Sequence, residues 1–274
     1  MTETYSLPQR AAAEFIGTFS IVFFGAGAVV IEFLTAPDGG GQFVLGGLGL
    51  GALGWVGIAV AFWGAVAVPI YVFGPVSGQH INPAVTLAFL LTDRIDLRPA
   101  VAYIVAQLAG GTAGGLVFTL IRGTETVSVG AMGATAAFPG VTPLQAVANE
   151  FVITYFLMVV IMAVAVDDRA PAGWAGFIIG FIVAVGVLTT GNISGASFNP
   201  ARTLGPYLTI SLSNALLGTE GPMLWDQAWI YVVGPTAGAI AGVYSYEYLV
   251  LGPYERASDE PEFDPGVEPD AEPE

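Results

Sequence analysis

Two short segments carry the side chains best placed to do chemistry, and each is built around the triplet Asn-Pro-Ala. They read SGQHINPAVT over residues 77–86 and SGASFNPART over residues 194–203. Asparagine is a good N-cap and proline suits the first helical position, so each triplet predicts the start of a helix. One such cap is only a helix start, but two in matching contexts indicate a repeated site. The residues of the two triplets are Asn82, Pro83, Ala84, Asn199, Pro200 and Ala201.

The rest of the composition excludes most catalytic chemistry. The chain has no cysteine and one histidine, which rules out disulfides, thiolate metal sites and multi-histidine metal sites. No nucleophile lies in a motif with a base, and no paired carboxylates share one. We therefore expect no catalytic residues, no metal and no cofactor. Basic residues do not cluster, so nucleic acid is not an expected partner.

The elements that position the triplets are expected to be membrane helices. The chain is 54% hydrophobic and 11% charged, with a mean hydropathy of +0.72, whereas soluble domains carry about 25% charged residues. The two triplet segments, 82–91 and 199–210, are too short to cross a bilayer core of about 30 Å. Six longer apolar segments are predicted to span it: 11–34, 45–73, 99–121, 142–166, 173–190 and 226–251.

Arginine positions predict the orientation of these spans. Six crossings place five arginines on one side, which the positive-inside rule assigns to the cytoplasm together with both termini; they are Arg10, Arg94, Arg98, Arg169 and Arg256. Arg122 falls on the opposite side. We expect a multi-pass protein of the cell membrane. The net charge is −15, and the acidic stretch 252–274 is expected to be a disordered cytoplasmic tail. The acidic composition without lysine also suggests adaptation to high salt.

The sequence repeats itself with an offset of 128 residues between the third and sixth predicted spans. Gly110 and Gly114 in the third correspond to Gly238 and Gly242 in the sixth. With three spans per half, the second half must enter the membrane from the opposite side, which is an inverted repeat. The predicted membrane domain covers residues 1–251, with the first repeat at about 8–122 and the second at about 142–251.

Over residues 8–250 the chain resembles the aquaporin family, and most closely its archaeal members. The resemblance rests on both Asn-Pro-Ala triplets, on Arg202, on the pair Glu14 and Glu150, and on the spacing between them. It implies an all-α membrane protein with six transmembrane helices and two half-helices. It also implies a passive channel for water and other small uncharged solutes that excludes protons and ions. Family members are usually homotetramers.

The resemblance also implies a role for each site residue. Asn82 and Asn199 would offer amide donors to passing water, and Glu14 and Glu150 would be structural carboxylates, with Gln107 as similar support. Backbone carbonyls before each triplet would line the pore: those of Gly78, Gln79, His80, Ile81, Gly195, Ser197 and Phe198. By family spacing, the selectivity filter would consist of Phe62, Val187, Ala196 and Arg202.

The filter departs from the family's two main patterns. Strict water channels usually carry histidine where Val187 stands, and glycerol-conducting members usually carry aspartate where Thr203 stands and tryptophan where Phe62 stands. A glycerol facilitator is therefore the nearest alternative. An ion-coupled transporter also uses broken helices, but neither triplet segment contains a carboxylate. His80 is interpreted as structural rather than as a pH gate or metal ligand, and the two glutamates as structural rather than as a proton relay.

Overall fold

The computed structural model describes residues 5–35 and 52–252. Eight long helices lie in these ranges: α1 (Leu7–Thr35), α2 (Ala52–Ser77), α3 (Pro83–Leu91), α4 (Leu97–Arg122), α5 (Pro143–Val166), α6 (Ala175–Ser194), α7 (Pro200–Leu217) and α8 (Ala228–Tyr246). The predicted start of the second span at residue 45 lies outside the described residues. The predicted disorder of the tail also concerns residues outside them, apart from Gly252.

The fold prediction is confirmed: the described chain is helical, with five helices long and apolar enough to cross a membrane. These are α1, α2, α4, α5 and α6. The sixth predicted span corresponds to α8 and its continuation Glu247–Leu251. This helix is not among the five, and it carries tyrosines at positions 231, 244 and 246.

One of the two predicted half-helices is longer in the structure than the sequence predicts. The first, α3, ends at Leu91 as expected. The second, α7, was predicted to end near Ile210 but continues to Leu217. Gly218 stops it there in a left-handed conformation with a φ of 66°, which a glycine adopts without strain. Asn214 also holds the chain after this helix by donating to the carbonyl of Gly221 and accepting from its N–H.

The two repeats build matching helix pairs. In the first, α1 packs along α4, and in the second α5 packs along α8, while α2 and α6 pack together across the repeats. Both pairs require glycine at the crossing. A Cβ on Gly114 would lie 2.7 Å from the carbonyl oxygen of Phe19, and one on Gly242 would lie 2.7 Å from that of Tyr155. The spacing of small residues thus sets how closely the backbones approach.

Three stretches of π-helix interrupt the regular winding of these helices. They are Ile21–Ala26 within α1, Met162–Val166 at the end of α5, and Glu247–Leu251 after α8.

The first helix of each repeat begins with the same cap. Ser6 N–H donates to Gln9 Oε1 (2.9 Å) and Thr142 N–H donates to Gln145 Oε1 (2.8 Å), with a proline in the first turn.

Candidate functional site

The N-termini of α3 and α7 meet inside the bundle, and an asparagine caps each of them. The Oδ1 atom of Asn82 accepts from Ala84 N–H at 2.9 Å, and that of Asn199 accepts from Ala201 N–H at 2.9 Å. Both asparagines have an extended backbone and are almost fully buried. The sequence makes these caps because proline follows each asparagine and cannot donate at the first helical position.

The two caps are joined by crossed hydrogen bonds between the repeats. Asn82 Nδ2 donates to the carbonyl of Phe198 at 2.9 Å, and Asn199 Nδ2 donates to the carbonyl of Ile81 at 2.7 Å. Each amide has two N–H bonds, so each retains a second donor beyond this contact. The positive ends of both helix dipoles therefore face each other at one place in the bundle.

A buried carboxylate holds the segment before each cap. Glu14, which is 0% exposed, accepts from Ser77 Oγ (2.7 Å) and His80 N–H (2.9 Å) on one oxygen. Its other oxygen accepts from Ile81 N–H (2.6 Å) and Gln107 Nε2 (2.8 Å). Four donors satisfy a carboxylate that would otherwise be costly to bury.

The second repeat reproduces this arrangement with one donor fewer among the contacts of its glutamate. Glu150, also 0% exposed, accepts from Ser194 Oγ at 2.6 Å. It further accepts from the backbone N–H groups of Ser197 and Phe198, both at 2.9 Å. Pro235 stands 128 positions after Gln107 and has no side-chain donor. The tyrosines Tyr103 and Tyr231 complete the match, because they donate to the carbonyls of Ser77 and Ser194 at 2.8 and 2.7 Å.

These bonds orient the carbonyl groups of both segments. In a trans peptide the C=O points opposite to the N–H of the next residue. Because the N–H groups of His80 and Ile81 point at Glu14, the carbonyls of Gln79 and His80 point away from it. By the same geometry, the carbonyls of Ala196 and Ser197 point away from Glu150.

The backbone reaches this shape through left-handed residues at matched positions. Gly78 and Gly195 have φ values of 81° and 83°, and four non-glycine residues repeat the pattern: Gln79 (50°), Ile81 (45°), Ala196 (45°) and Phe198 (58°). Non-glycine residues adopt such angles only when their surroundings enforce them. The glutamate contacts supply that constraint. Of the carbonyls named from the sequence, those of Ile81 and Phe198 accept the crossed asparagine bonds.

The four residues that the resemblance assigns to a filter line two neighbouring cavities. Phe62, Val187, Ala196 and Arg202 are all buried, with exposures of 4%, 1%, 2% and 2%. Phe62 and Arg202 line two cavities at once, an outer one of about 270 Å³ and an inner one of about 40 Å³. Val187 lines the outer cavity, and Ala196 lines the inner one together with Asn82 and Asn199.

Arg202 lies where the two cavities meet, and its guanidinium is held by contacts on two sides. Its Nη1 donates to the carbonyl of Gly133 at 2.9 Å, and its Cζ lies 4.9 Å from the ring centroid of Phe62. That distance permits a cation–π contact. The sequence did not point to Gly133, because the partner is a backbone carbonyl in the connection between α4 and α5.

Thr203 joins a chain of hydroxyl groups. Its Oγ1 lies 2.7 Å from Ser197 Oγ and 2.6 Å from Thr135 Oγ1, and all three side chains are buried. Tyr207 also donates to the carbonyl of Thr135 at 2.8 Å. The connection after α4 is therefore fastened to α7 at several points. Sequence analysis missed Thr135, which has no motif around it.

The His80 ring packs against neighbouring side chains of the protein. Its Nδ1 lies 3.2 Å from Thr86 Oγ1, and its ring meets those of Phe89 and Tyr103 edge-on, with centroids 5.0 and 5.3 Å away. Thr86 also accepts from Gln107 Nε2 at 3.1 Å. The histidine thus belongs to the layer that supports α3 from behind.

Comparison with known proteins finds a matching family model and similar chains. The family model described as "Major intrinsic protein" matches residues 1–246. The chain is 47% identical over 251 residues to Aquaporin AqpM of Methanothermobacter marburgensis, covering 89% of this chain and 98% of that protein. It is also 47% identical over 249 residues to Probable aquaporin AqpM of Archaeoglobus fulgidus, covering 90% and 98%.

Less similar proteins also match this chain over most of its length. Aquaporin NIP1-4 of Oryza sativa is 39% identical over 251 residues, covering 92% of this chain and 80% of that protein. Among solved structures, the aquaglyceroporin from Plasmodium falciparum superimposes with a TM-score of 0.71 at 23% identity, covering 92% of this chain and 100% of that one. The structural match supports the fold.

Proposed function

The chain belongs to the major intrinsic protein family and is a passive membrane channel for water, not an enzyme, and from that premise we propose that it also passes other small uncharged solutes. The proposed filter consists of Phe62, Val187, Ala196 and Arg202. One observation carries the proposal: Phe62 and Arg202 separate a wide outer cavity from a narrow inner one that holds both asparagines.

The size of the inner cavity supports single-file passage. It measures about 40 Å³, and a cavity needs about 10–15 Å³ on such a scale to hold one water molecule, so only a few fit at a time. Asn82 and Asn199 each have an amide N–H left for a solute, while the carbonyls of Gln79, His80, Ala196 and Ser197 can accept from it. A polar solute can therefore exchange hydrogen bonds with bulk water for bonds along this path.

Electrostatics supports the exclusion of cations and protons. The N-termini of α3 and α7 both point their positive ends at the inner cavity, and the Arg202 cation stands at its entrance. Half-helix dipoles and an arginine form such a barrier in aquaporin-type pores. The oxygens of Glu14 and Glu150 accept from donors of the loops and helices around them.

The apolar side of the constriction supports a broader solute range than water alone. Val187 and Ala196 cannot hydrogen-bond through their side chains, so the polar contacts at this level come from Arg202 and the backbone. The outer cavity is likewise lined mainly by apolar residues such as Val29, Ile58 and Phe138. A solute with a small apolar surface loses less there than it would against a ring of polar side chains.

We further propose how the channel is arranged in the cell. Both termini would be cytoplasmic in the plasma membrane, because five of the arginines would lie on that side of the six spans. Residues 1–251 would form the channel domain and residues 252–274 a disordered tail. The chain would assemble as a homotetramer with one pore in each subunit. The composition, acidic and without lysine, suits a cell with high internal salt.

Stopped-flow light scattering on proteoliposomes tests the proposed solute range. Shrinkage in sucrose measures water permeability, and re-swelling in glycerol measures solute permeability. The proposal expects protein-dependent changes in both. Fast shrinkage without protein-dependent re-swelling would refute the broader range and leave a water channel.

The substitution Val187→His tests the filter assignment in the same assay. Histidine adds a polar ring where the side chain now ends in two methyl groups, so it should narrow the constriction. We expect re-swelling in glycerol to slow more than shrinkage in sucrose. Leu120→His serves as a matched control, since Leu120 is 74% exposed near the end of α4. An unchanged glycerol rate in Val187→His would contradict the filter assignment.

A further inference from the structure

The π-helical turn of α1, Ile21–Ala26, lies beside the proposed filter. Ile21 lines the inner cavity together with Phe62 and Arg202. Such turns add one residue to a helix turn, and they are frequent at functional sites. Ile21 lies outside the proposed filter, so the turn borders the filter without supplying one of its four residues.

Gly25 of this turn is in direct contact with the Phe62 ring. A Cβ built on Gly25 would lie 2.6 Å from both Cδ1 and Cε1 of that ring. Real Cβ atoms do not approach so closely, so the ring occupies space that only a glycine leaves open. The free volume next to Phe62 is that of the two cavities. A ring displaced from α1 therefore moves into the lumen.

The next residue of the turn, Ala26, contacts the backbone segment that binds Arg202. The carbonyl of Ala26 lies where a Cβ of Gly133 would be, so Gly133 packs its bare backbone against it. Gly133 has a φ of 62° and accepts the hydrogen bond from Arg202 Nη1. Ala26 thus positions the acceptor that holds Arg202, while Gly25 positions the ring that faces the same guanidinium.

We propose that the π-helical turn of α1 sets the distance between Phe62 and Arg202, with Gly25 as the positioning residue that keeps the filter open. This inference rests on the proposed function, because it requires Phe62 to line the narrowest part of the pore. Gly25 touches no solute; it acts through the ring of Phe62.

A double-mutant cycle in proteoliposomes tests the proposal, with water permeability per channel as the readout. The variants are Gly25→Ala, Phe62→Ala and the double variant, with Gly27→Ala as the matched control. Gly27 lies one position beyond the same turn, and a Cβ there would meet Phe118 Cε2 at 2.6 Å, away from the filter. Both alanines therefore introduce an equally close ring contact on one helix.

We expect Gly25→Ala to lower water permeability about tenfold, because overpacking forces the ring into the lumen. Gly27→Ala should retain the wild-type rate. In the double variant the ring is gone, so its permeability should equal that of Phe62→Ala. Should Gly25→Ala fail to fold, the double variant must fold, since the clash is removed.

The outcomes separate the inference from the proposed function. If Phe62→Ala changes permeability but Gly25→Ala does not, the inference fails and the filter assignment stands. If Gly25→Ala lowers permeability equally with and without the ring, it acts through helix packing and the inference also fails. If Phe62→Ala leaves both water and glycerol rates unchanged, the filter assignment fails and the inference falls with it. A double variant that does not fold overturns the inference.

Discussion

Replacing Glu14 by glutamine, in chains with and without Gln107, tests how the segment before α3 is held. Glu14 and Gln107 are both 0% exposed, and their side chains share a hydrogen bond of 2.8 Å. A hydrogen bond to a charged group contributes about 1.5–3 kcal/mol in proteins. Hydrogen bonds between transmembrane helices average about 0.6 kcal/mol and reach about 1.7 kcal/mol. Glutamine at position 14 can still accept from Gln107, so the cycle measures what the carboxylate charge adds to this bond. A bond to a charged group exceeds a neutral one by about 1 kcal/mol, and we expect a coupling energy of that size.

The coupling is measured with a cycle of Glu14→Gln, Gln107→Leu and the double variant. Leucine removes the donor while filling much of the same space. Unfolding in mixed micelles of rising SDS content can be followed by the fluorescence of the five tryptophans, and the free energy of unfolding is extrapolated linearly. The cost of neutralising the buried charge is common to both arms of the cycle and cancels.

The second repeat provides an internal comparison for this cycle. Pro235 stands at the position equivalent to Gln107, so a cycle between Glu150→Gln and Pro235→Leu should show no comparable coupling. Additivity of Glu14→Gln and Gln107→Leu within about 0.3 kcal/mol would refute the reasoning. It would mean that the carboxylate is held by Ser77 and the backbone N–H groups without help from α4.

Three further predictions follow from packing and charge. Gly238→Ala should lower the free energy of unfolding by about 1–3 kcal/mol, because its Cβ would overlap the carbonyl of Phe151; Gly57→Ala, which meets nothing within 4 Å, should not, and equal losses would contradict the packing argument. Hydrogen bonds from Arg169 and then Tyr246 hold the pKa of Asp167 below its usual range, so Asp167→Asn should lower the thermal midpoint at pH 7. The difference in thermal midpoint between the unchanged chain and Asp167→Asn should shrink as the pH falls below about 4, because Asp167 then becomes protonated. A difference that grows at low pH would contradict this prediction. With a net charge of −15, the protein should melt at higher temperature as KCl rises from about 0.1 to about 1 M, where the Debye length shrinks from about 10 to about 3 Å; a lower midpoint would exclude adaptation to salt.

The helices were predictable from sequence because both of their signals are local. A run of some 20 apolar residues indicates a span, and Asn-Pro indicates a helix start. Helix ends were less accurate. The fifth span, predicted to end at Thr190, continues to Ser194, and the ring of Trp55 packs against it at Gly191. Gly195 and Gly218, both left-handed, are the actual stops, and the common C-terminal glycine rule could have found them.

The site was predictable to the extent that side chains mark it. The triplets, the two glutamates and Arg202 are visible as residue types in a repeated pattern. The carbonyl of Gly133 and the π-helical turn around Gly25 are not, because both depend on backbone geometry fixed by distant segments. Thr135 was missed for a similar reason: it meets Thr203 only after 68 residues of chain have folded back.

The crossed bonds between Asn82 and Phe198, and between Asn199 and Ile81, have a consequence for biosynthesis. Each bond joins residues more than 110 positions apart, one from each repeat. While a ribosome is still producing the second repeat, the loop before α3 has its glutamate but not its asparagine partner. The first repeat therefore cannot form the crossed bonds until Phe198 and Asn199 have been synthesised. A chain truncated between the repeats would lack both crossed bonds and half of the residues around the inner cavity, so it would not form a smaller channel.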